Sequence, residues 1–566
     1  MNLNIFNHIG ELVSIAIKKL DIDIESFDLE HPHDFTNGDF STNIAMVLAK
    51  KRGLNPKELA QKIVDLIPKD EMIEKVEVAG PGFINFYLSP TFFQNTIKEI
   101  LENQENFGKN EIFKGKKVLV EHSSPNLFKP FHVGHVMNNA IGESIARIAE
   151  FSSAEVKKIS YPSDVSLGIG KAVFAFLKRG ISEINKFETE IEKLKFLGDC
   201  YVEGNLMYEE SEDVQKQVRK ITEMIYEKVE GIEYEAYNIG KKISLNYFLN
   251  ITKRLGSNFD DFIFESEAGE IGEGIVRENL KDIFETSDGA IVYKGEQDGL
   301  HTRVFINNEG YPTYEAKDIG LLSIKFKRFD PDLSVVVTDN NQKSYYEVVL
   351  ASAEKINKAW KEKTIHKTHG RMSFKGKKMS SRLGGVPTAV EILNEVASLV
   401  SERLEDKNDL QKIDDISIAS LKFTILKTMA GRDIDFDPEV SLSFEGDSGP
   451  YLQYTVSRIN SIIDKAESLN LKGGMPKEKD RFATEVEKLL YRFEEVVLKS
   501  ANDFSPHHIT SYLLELSRAF NSWYGETKII DPENVNTPYN LAIASCTAIV
   551  IKKGLYLLGI NSPDRM

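Results

Sequence analysis

The strongest chemical signal in the chain is the run Glu121-His-Ser-Ser-Pro-Asn-Leu-Phe-Lys-Pro-Phe-His-Val-Gly-His135. It lies between Lys117–Glu121, which reads as a short buried strand, and a helix expected from about Val136. A helix start offers unpaired N–H groups and a partial positive charge, a setting that suits phosphate. His132 and His135 can donate hydrogen bonds to phosphate oxygens, and Gly134 lets a nucleoside approach the backbone. Taken alone, the two histidines would serve equally as surface or satisfied core residues. A metal would want a third ligand, and none stands at a familiar spacing. A second segment, Phe374-Lys-Gly-Lys-Lys-Met-Ser-Ser-Arg382-Leu-Gly-Gly, is basic and rich in small residues. Lys377, Lys378 and Arg382 can neutralise a leaving pyrophosphate, while Ser380, Ser381 and the glycines let the loop move. By itself it is also what a solvated charge run looks like. The sequence has no G-x-x-x-x-G-K-[ST], so P-loop chemistry is not expected. Gly168-Ile-Gly170 lacks the third glycine and the acidic residue of a dinucleotide loop. His366/His369 and His507/His508 have no partner ligands and read as structural or surface pairs.

Elements must hold these segments in place. The pattern predicts an α/β Rossmann-type, doubly wound parallel-sheet domain over residues 117–393. Its strands and helices alternate through Lys157–Tyr161, Ala172–Arg179, Leu333–Thr338 and Ser344–Ile356. Charged helices are inserted over about 184–242. Ligands of such sheets bind at the carboxyl ends of the strands. Ahead of it, residues 1–90 read as a small α+β unit: a helix over Ile5–Leu20, helices within Ser41–Leu66 broken at Asn55-Pro56, and two strands around Pro81-Gly82. Residues 91–116 read as a linker, helical over Thr91–Gln104 and polar after it. Residues 394–566 read as an all-α bundle. Its expected helices run over Ala389–Glu405, Ile416–Thr428, Tyr451–Leu469, Arg481–Leu498, Ile509–Tyr524 and Tyr539–Leu558.

Composition bounds the class. At 566 residues, three or four domains are expected. With 41% hydrophobic and 28% charged residues, the chain is too apolar to be largely disordered. Two cysteines, Cys200 and Cys546, exclude a disulfide scaffold or Cys-rich zinc site and fit a reducing cytoplasm. There is no secretory signal and no run of about 18 apolar residues, so no membrane partner is expected. The net charge, 71 − 87 = −16, argues against unspecific coating of nucleic acid. It leaves open a nucleic-acid partner bound through local basic surface.

The two basic and histidine-bearing segments, in this order, resemble the paired HIGH and KMSKS signatures of class I aminoacyl-tRNA synthetases. The phrase SSPN-x-x-KPFHVGH resembles the extended form found in arginyl-tRNA synthetases. The resemblance spans nearly the whole chain. Gly38-Asp-Phe-Ser-Thr-Asn43 and Gly80-Pro-Gly-Phe-Ile-Asn85 are similar to that family's additional N-terminal domain. Gly449-Pro-Tyr-Leu-Gln-Tyr454, Ala519-Phe-Asn521 with Tyr524, and Leu557–Met566 are similar to its helical anticodon-binding domain. The resemblance implies ATP-dependent activation of L-arginine to arginyl-adenylate and transfer to the 3′-terminal adenosine of tRNA(Arg), with tRNA needed for activation. It implies that His132, Gly134, His135, Lys378, Met379 and Ser380 bind ATP. Lys129, His132, His135 and Lys378 would act at the triphosphate. Tyr314 and Asp318 would hold the guanidinium, with Glu121 a second acidic contact. Asn126, Gln342 and Ser123 or Ser124 would hold the α-amino and carboxylate end. Mg²⁺ would accompany ATP, with no structural metal bound by the protein, and the chain would be a monomer. Residue chemistry supports the same pocket: Tyr314 and Asp318 stand four apart on one helical face, and a guanidinium suits a carboxylate beside an aromatic ring.

The chain also departs from the pattern. Ser381 stands where KMSKS has its second lysine, and Lys129 is the family's substitute for it. In Ser160–Gly170 the usual DWGTQFG run is kept only at Asp164 and Gly170; Val165, Leu167 and Gly168 replace Trp, Thr and Gln. Tyr345 stands where histidine is common. For tRNA, the basic candidates are Lys50-Lys51-Arg52, Lys114–Lys117 and Lys552-Lys553. Tyr451, Tyr454, Arg458, Trp523 and Tyr524 are candidates for stacking or phosphate contacts in the bundle. Two rivals remain: a non-charging RNA-binding paralogue, and a class I synthetase of another amino-acid specificity.

Overall fold

The computed structural model describes residues 5–24, 26–375, 387–404, 406–476 and 482–566. Lys377, Lys378, Met379, Ser380, Ser381 and Arg382 of the second signature lie outside the described residues.

The core of the catalytic unit is a five-stranded, all-parallel sheet. Its strands are β1 (Lys117–Glu121), β2 (Glu155–Ser160), β3 (Asp261–Phe262), β4 (Leu333–Asp339) and β5 (Thr364–His369), in the order β5-β4-β1-β2-β3. Parallel strands are covered on both faces, so they read as continuous apolar runs. Val118–Val120 and Val335–Val337 are such runs, and all six residues are buried. The chain leaves β1 toward β2 on one side and returns to β4 on the other. The strand order therefore reverses at β1, and a crevice opens at the carboxyl ends of β1 and β4.

Helices α1 (Val133–Phe151), α2 (Leu167–Arg179), α3 (Glu190–Glu210), α4 (Glu212–Tyr226), α5 (Ile232–Arg254), α6 (Glu265–Glu278), α7 (Tyr314–Phe329) and α8 (Lys343–Ile356) surround the sheet. The inserted helices α3, α4 and α5 run to Arg254, beyond the end expected near 242. Helix α1 begins three residues before the expected Val136, because His132 and His135 form a reciprocal cap at its N-terminus. Helix α6 is hidden in the sequence by Gly269, Gly272 and Gly274, which lower helix propensity. The glycines have a packing use. A Cβ on Gly272 would lie 1.8 Å from the Ala316 carbonyl of α7, and one on Gly320 would lie 1.9 Å from the Ala268 carbonyl of α6. The two backbones touch, and this contact fixes the helix that carries Tyr314 and Asp318. A three-stranded antiparallel sheet (Glu285–Ser287, Ala290–Tyr293, Arg303–Ile306) precedes α7. Only its last strand is legible in the sequence, as the candidate strand Val304–Asn307.

The N-terminal unit is a three-stranded antiparallel sheet covered by helices. Asn55 caps helix Pro56–Leu66 at the expected break, accepting from Lys57 N and Glu58 N. Its core is closed by Tyr491 of the C-terminal bundle, and His31 reaches Glu495 at 2.8 Å. Helix Pro90–Asn103 is no free linker: Ile97 and Ile100 are buried in the main core, and Cys546 Sγ donates to Ile97 O at 3.5 Å. In the bundle, the expected helix Arg481–Leu498 is two helices, Glu485–Leu490 and Phe493–Asp503. Helix Thr537–Leu557 is long and apolar enough to cross a bilayer, yet 72% of its apolar window is buried inside the bundle, as befits a core helix. The bundle grips α1 directly: Ser144 Oγ donates to Leu557 O at 2.8 Å, and Arg147 donates to Tyr556 O at 2.9 Å.

Gly272→Ala should force α6 from α7 at a cost of about 1–3 kcal/mol. Thermal unfolding read by circular dichroism should show a lower midpoint. An unchanged midpoint would contradict the backbone contact.

Candidate active site

The loop from Glu121 to α1 lies at the reversal of the sheet. Two of its residues are left-handed without being glycine, Ser123 (φ 58°) and Phe128 (φ 63°). Such backbone is unfavourable and needs surrounding structure to hold it. Ser123 is fully buried; its N–H donates to Asn138 Oδ1 at 2.6 Å, and its hydroxyl is shared with His122 and Asn139. The hydroxyl is thus engaged inside the loop, where it acts as a strut. Ser124 is partly exposed, and its Oγ accepts from Tyr161 N at 3.2 Å. Phe128 drops its ring against Gly240 of α5, where a Cβ would lie 2.2 Å from the ring, and its N–H donates to Ser244 Oγ at 3.0 Å. The loop is thus pinned at both ends of Pro125-Asn126-Leu127. Asn126 is exposed and bridges to Ser163 of the neighbouring loop.

The histidines are arranged by the helix start. Gly134 N donates to His132 Nδ1 at 3.1 Å, and His132 N donates to His135 Nδ1 at 3.2 Å. With both Nδ1 atoms accepting, each ring carries its proton on Nε2 and keeps that N–H for a ligand. The rings stack with centroids 3.7 Å apart, and Phe131 stacks on His135 at 4.7 Å. Burial, with the neighbouring His132, holds His135 well below its ordinary range. Burial, then Lys129, lowers His132. Both are neutral donors near pH 7. Gly134 has a further reason: a Cβ there would sit 3.1 Å from the His132 ring.

Beside them is a cluster of carboxylates. Glu121, at the end of β1, accepts from the fully buried Lys325 at 2.9 Å. Glu265 pairs with Lys317 at 2.8 Å. Asp164, fully buried after β2, accepts from Lys241 (2.7 Å), Tyr237 (3.1 Å) and both N–H and Oγ of Ser266. Asp318 differs. Among the described residues it has no cation, and it accepts from the Tyr345 hydroxyl at 2.5 Å. Burial pushes its carboxyl up to about 8, Tyr345 opposes the rise, and Glu121 and Glu265 add to it. One turn away Tyr314 is 59% exposed, with the Lys317 ammonium 5.3 Å from its ring centroid. Tyr345 therefore supplies a neutral donor to Asp318.

Gln342 is exposed just after β4. Lys129 is exposed, its ammonium 4.0 Å from the centroid of Tyr201 on α3. Sequence reasoning missed Lys325, Lys317 and Lys241. Their only signal is a basic residue on a helix facing an acid, a pattern common on any surface. Among the described residues, no group of three or more His, Cys, Asp or Glu side chains is placed to hold a metal ion.

Comparison with known proteins joins these features. Residues 96–428 match the family model "tRNA synthetases class I (R), catalytic domain". Residues 452–566 match "DALR anticodon binding domain", and 7–88 match "Arginyl tRNA synthetase N terminal domain". The chain is 30% identical to an arginine–tRNA ligase of Clostridium perfringens, covering 98% of this chain and 99% of that one. It is 29% identical to one of Borreliella burgdorferi over 86% of each. Its fold matches the solved arginyl-tRNA synthetase of Thermus thermophilus with a TM-score of 0.80 and 23% identity, covering 99% and 100% of the two chains.

A carboxyl with a raised pKa binds its proton more tightly in the folded chain, so it makes the protein less stable as pH rises from its unfolded value toward 8. Asp318→Asn should therefore melt at a higher temperature than the parent. The gap should widen from pH 5 to pH 8 and stay constant above, in a pH series of thermal melts. A constant gap would contradict the raised carboxyl.

Proposed function

The chain belongs to the arginyl-tRNA synthetase family and works as an aminoacyl-tRNA ligase with ATP as substrate, and we propose a division of that reaction among the side chains above. The observation that carries the proposal is Asp318: three carboxylates of the cluster hold an internal lysine, and among the described residues this one holds none. A guanidinium entering beside Tyr314 supplies the missing charge, with the ring of Tyr314 over its plane. Glu121 adds field to the pocket while remaining paired with Lys325. Asn126, Ser124 and Gln342 border the α-amino and carboxylate end.

The arginine carboxylate attacks the α-phosphorus of ATP. A carboxylate–phosphorus bond forms, the bond to the bridging oxygen breaks, and pyrophosphate leaves with the electron pair. No side chain is covalently modified. The work is positioning and charge stabilisation. His132 and His135 donate through Nε2–H to phosphate oxygens, and Lys129 and Lys378 bring positive charge. Met379 and Ser380 complete the nucleotide contacts. Mg²⁺ enters with ATP, held mainly by phosphates and water. The terminal ribose hydroxyl of tRNA(Arg) then attacks the acyl carbon, and AMP leaves. tRNA is required for the first step as well.

The tRNA surface has two parts. Lys50, Lys51 and Arg52 are exposed at the end of one helix, and among the described residues none pairs with a carboxylate. Lys114, Lys117 and Lys552 are paired with Glu111, Asp330 and Asp564, so they are weaker candidates. In the bundle a cleft of about 870 Å³ is lined by Tyr454, Arg458 and Tyr524. The Arg458 guanidinium lies 4.8 Å and 5.5 Å from the two tyrosine rings, and Arg458 is fixed by Asn521. Stacked aromatics with a cation suit unpaired anticodon bases. Tyr451 and Trp523 pack inward. The buried thiols fit a reducing compartment, and the enzyme acts as a cytoplasmic monomer without a membrane partner.

Asp318→Asn should raise the Michaelis constant for arginine about a hundredfold or more, since removing one partner of a buried charge pair costs about 3–5 kcal/mol. That for ATP should barely move. In the parent enzyme, arginine affinity should rise about tenfold per unit from pH 6 to 8 and then level, because only ionised Asp318 pairs with the guanidinium. Calorimetry at several pH values reads this, and a flat profile would remove Asp318 from the role. Replacing Lys50, Lys51 and Arg52 together by alanine should raise the Michaelis constant for tRNA about tenfold and flatten its salt dependence, leaving that for arginine unchanged.

A further inference from the structure

Lys129 is exposed on a loop, and among the described residues no carboxylate pairs with it. A long flexible side chain in that setting would sample many rotamers. Its ammonium instead lies 4.0 Å from the ring centroid of Tyr201. The placement of Tyr201 is built from three glycines. On α3, Gly198, Tyr201 and Gly204 share one face at spacings of three. A Cβ on Gly198 would lie 3.6 Å from Pro130 Cδ, so this face rests on the residue after Lys129. A Cβ on Gly204 would lie 2.1 Å from the Lys171 carbonyl, so α3 touches the backbone of α2. The third is Gly168, in the first turn of α2, where a Cβ would lie 2.2 Å from the Tyr201 hydroxyl and 2.8 Å from Cζ. A side chain at 168 would push that ring from its place. Gly168 is one of the positions at which the chain departs from the DWGTQFG run.

We propose that Tyr201 is a positioning residue for adenylate formation: its ring face holds the Lys129 ammonium at the nucleotide's phosphates, and Gly168 is the opening that admits the tyrosine. The proposal rests on the reading that Lys129 acts at the triphosphate. A chain that relies on Lys129 needs that lysine held, and a glycine at 168 provides the holder.

A double-mutant cycle on the full chain, with tRNA present, tests this by single-turnover arginyl-adenylate formation. Tyr201→Leu should slow the step about two- to thirtyfold, the range a cation–π contact spans, with Michaelis constants for ATP and arginine within about twofold. Tyr201→Phe keeps the ring face and should recover most of the rate. Pentafluorophenylalanine at 201 keeps the shape and withdraws the face charge. It should be as slow as Tyr201→Leu, which also covers the case in which the leucine variant does not fold. In a Lys129→Ala background none of these changes should matter by more than about twofold. Equal losses in both backgrounds, or a fluorinated ring as fast as phenylalanine, would overturn the positioning role alone. Lys129→Ala at full rate would overturn the role of Lys129 and this proposal with it.

Discussion

A desolvated carboxylate without its own cation is unstable unless something positive arrives. Asp318 is held in that condition by a neutral tyrosine donor and by acidic neighbours whose charges are already spent on lysines. The same cluster with four internal lysines would make a more stable protein and would bind nothing. With one position left vacant, it selects a cation of guanidinium size beside an aromatic ring. The catalytic unit can be understood as the framework that keeps this carboxylate dry and fixed.

Two kinds of constraint supply that rigidity. One is backbone contact at glycines: the α6–α7 crossing at Gly272 and Gly320 sets the helix bearing Tyr314 and Asp318, and Gly240 receives Phe128. The other is strained loop backbone held by burial. Ser123 and Phe128 adopt left-handed conformations that Asn138 and the buried Asn139 and Ser244 stabilise through hydrogen bonds. Between them, the loop delivers Lys129 and the stacked histidines to the strand ends, where the order of the parallel sheet reverses. The C-terminal bundle holds the other end of α1 through Ser144 and Arg147, so the histidine helix is gripped from the domain at the far end of the chain.

Much of this was legible in the sequence, for identifiable reasons. The parallel strands show as valine runs because both faces are covered. The helix break at Asn55-Pro56 is a capping signal that acts locally. The histidine-bearing loop reads well because its chemistry is contiguous. Helix α6 was not legible, since glycines that permit close packing look like helix breakers when only propensity is weighed. The small sheet before α7 was seen only at its last strand, because three- and four-residue strands carry too little period. The inward turn of the Ser123 hydroxyl was not legible, since only the packing shows its partners. The lysines that neutralise Glu121, Asp164 and Glu265 come from positions 52 to 204 residues away, a pairing no local pattern encodes.

The central claim is that charge at the end of the substrate side chain is what Asp318 recognises. Citrulline has nearly the shape of arginine and no charge. ATP–pyrophosphate exchange in the presence of tRNA, with arginine and citrulline compared over the same concentrations, tests the claim most directly. Exchange with arginine and none measurable with citrulline, with the preference collapsing in Asp318→Asn, is the predicted result. Comparable exchange with both, or a preference that survives Asp318→Asn intact, would contradict it.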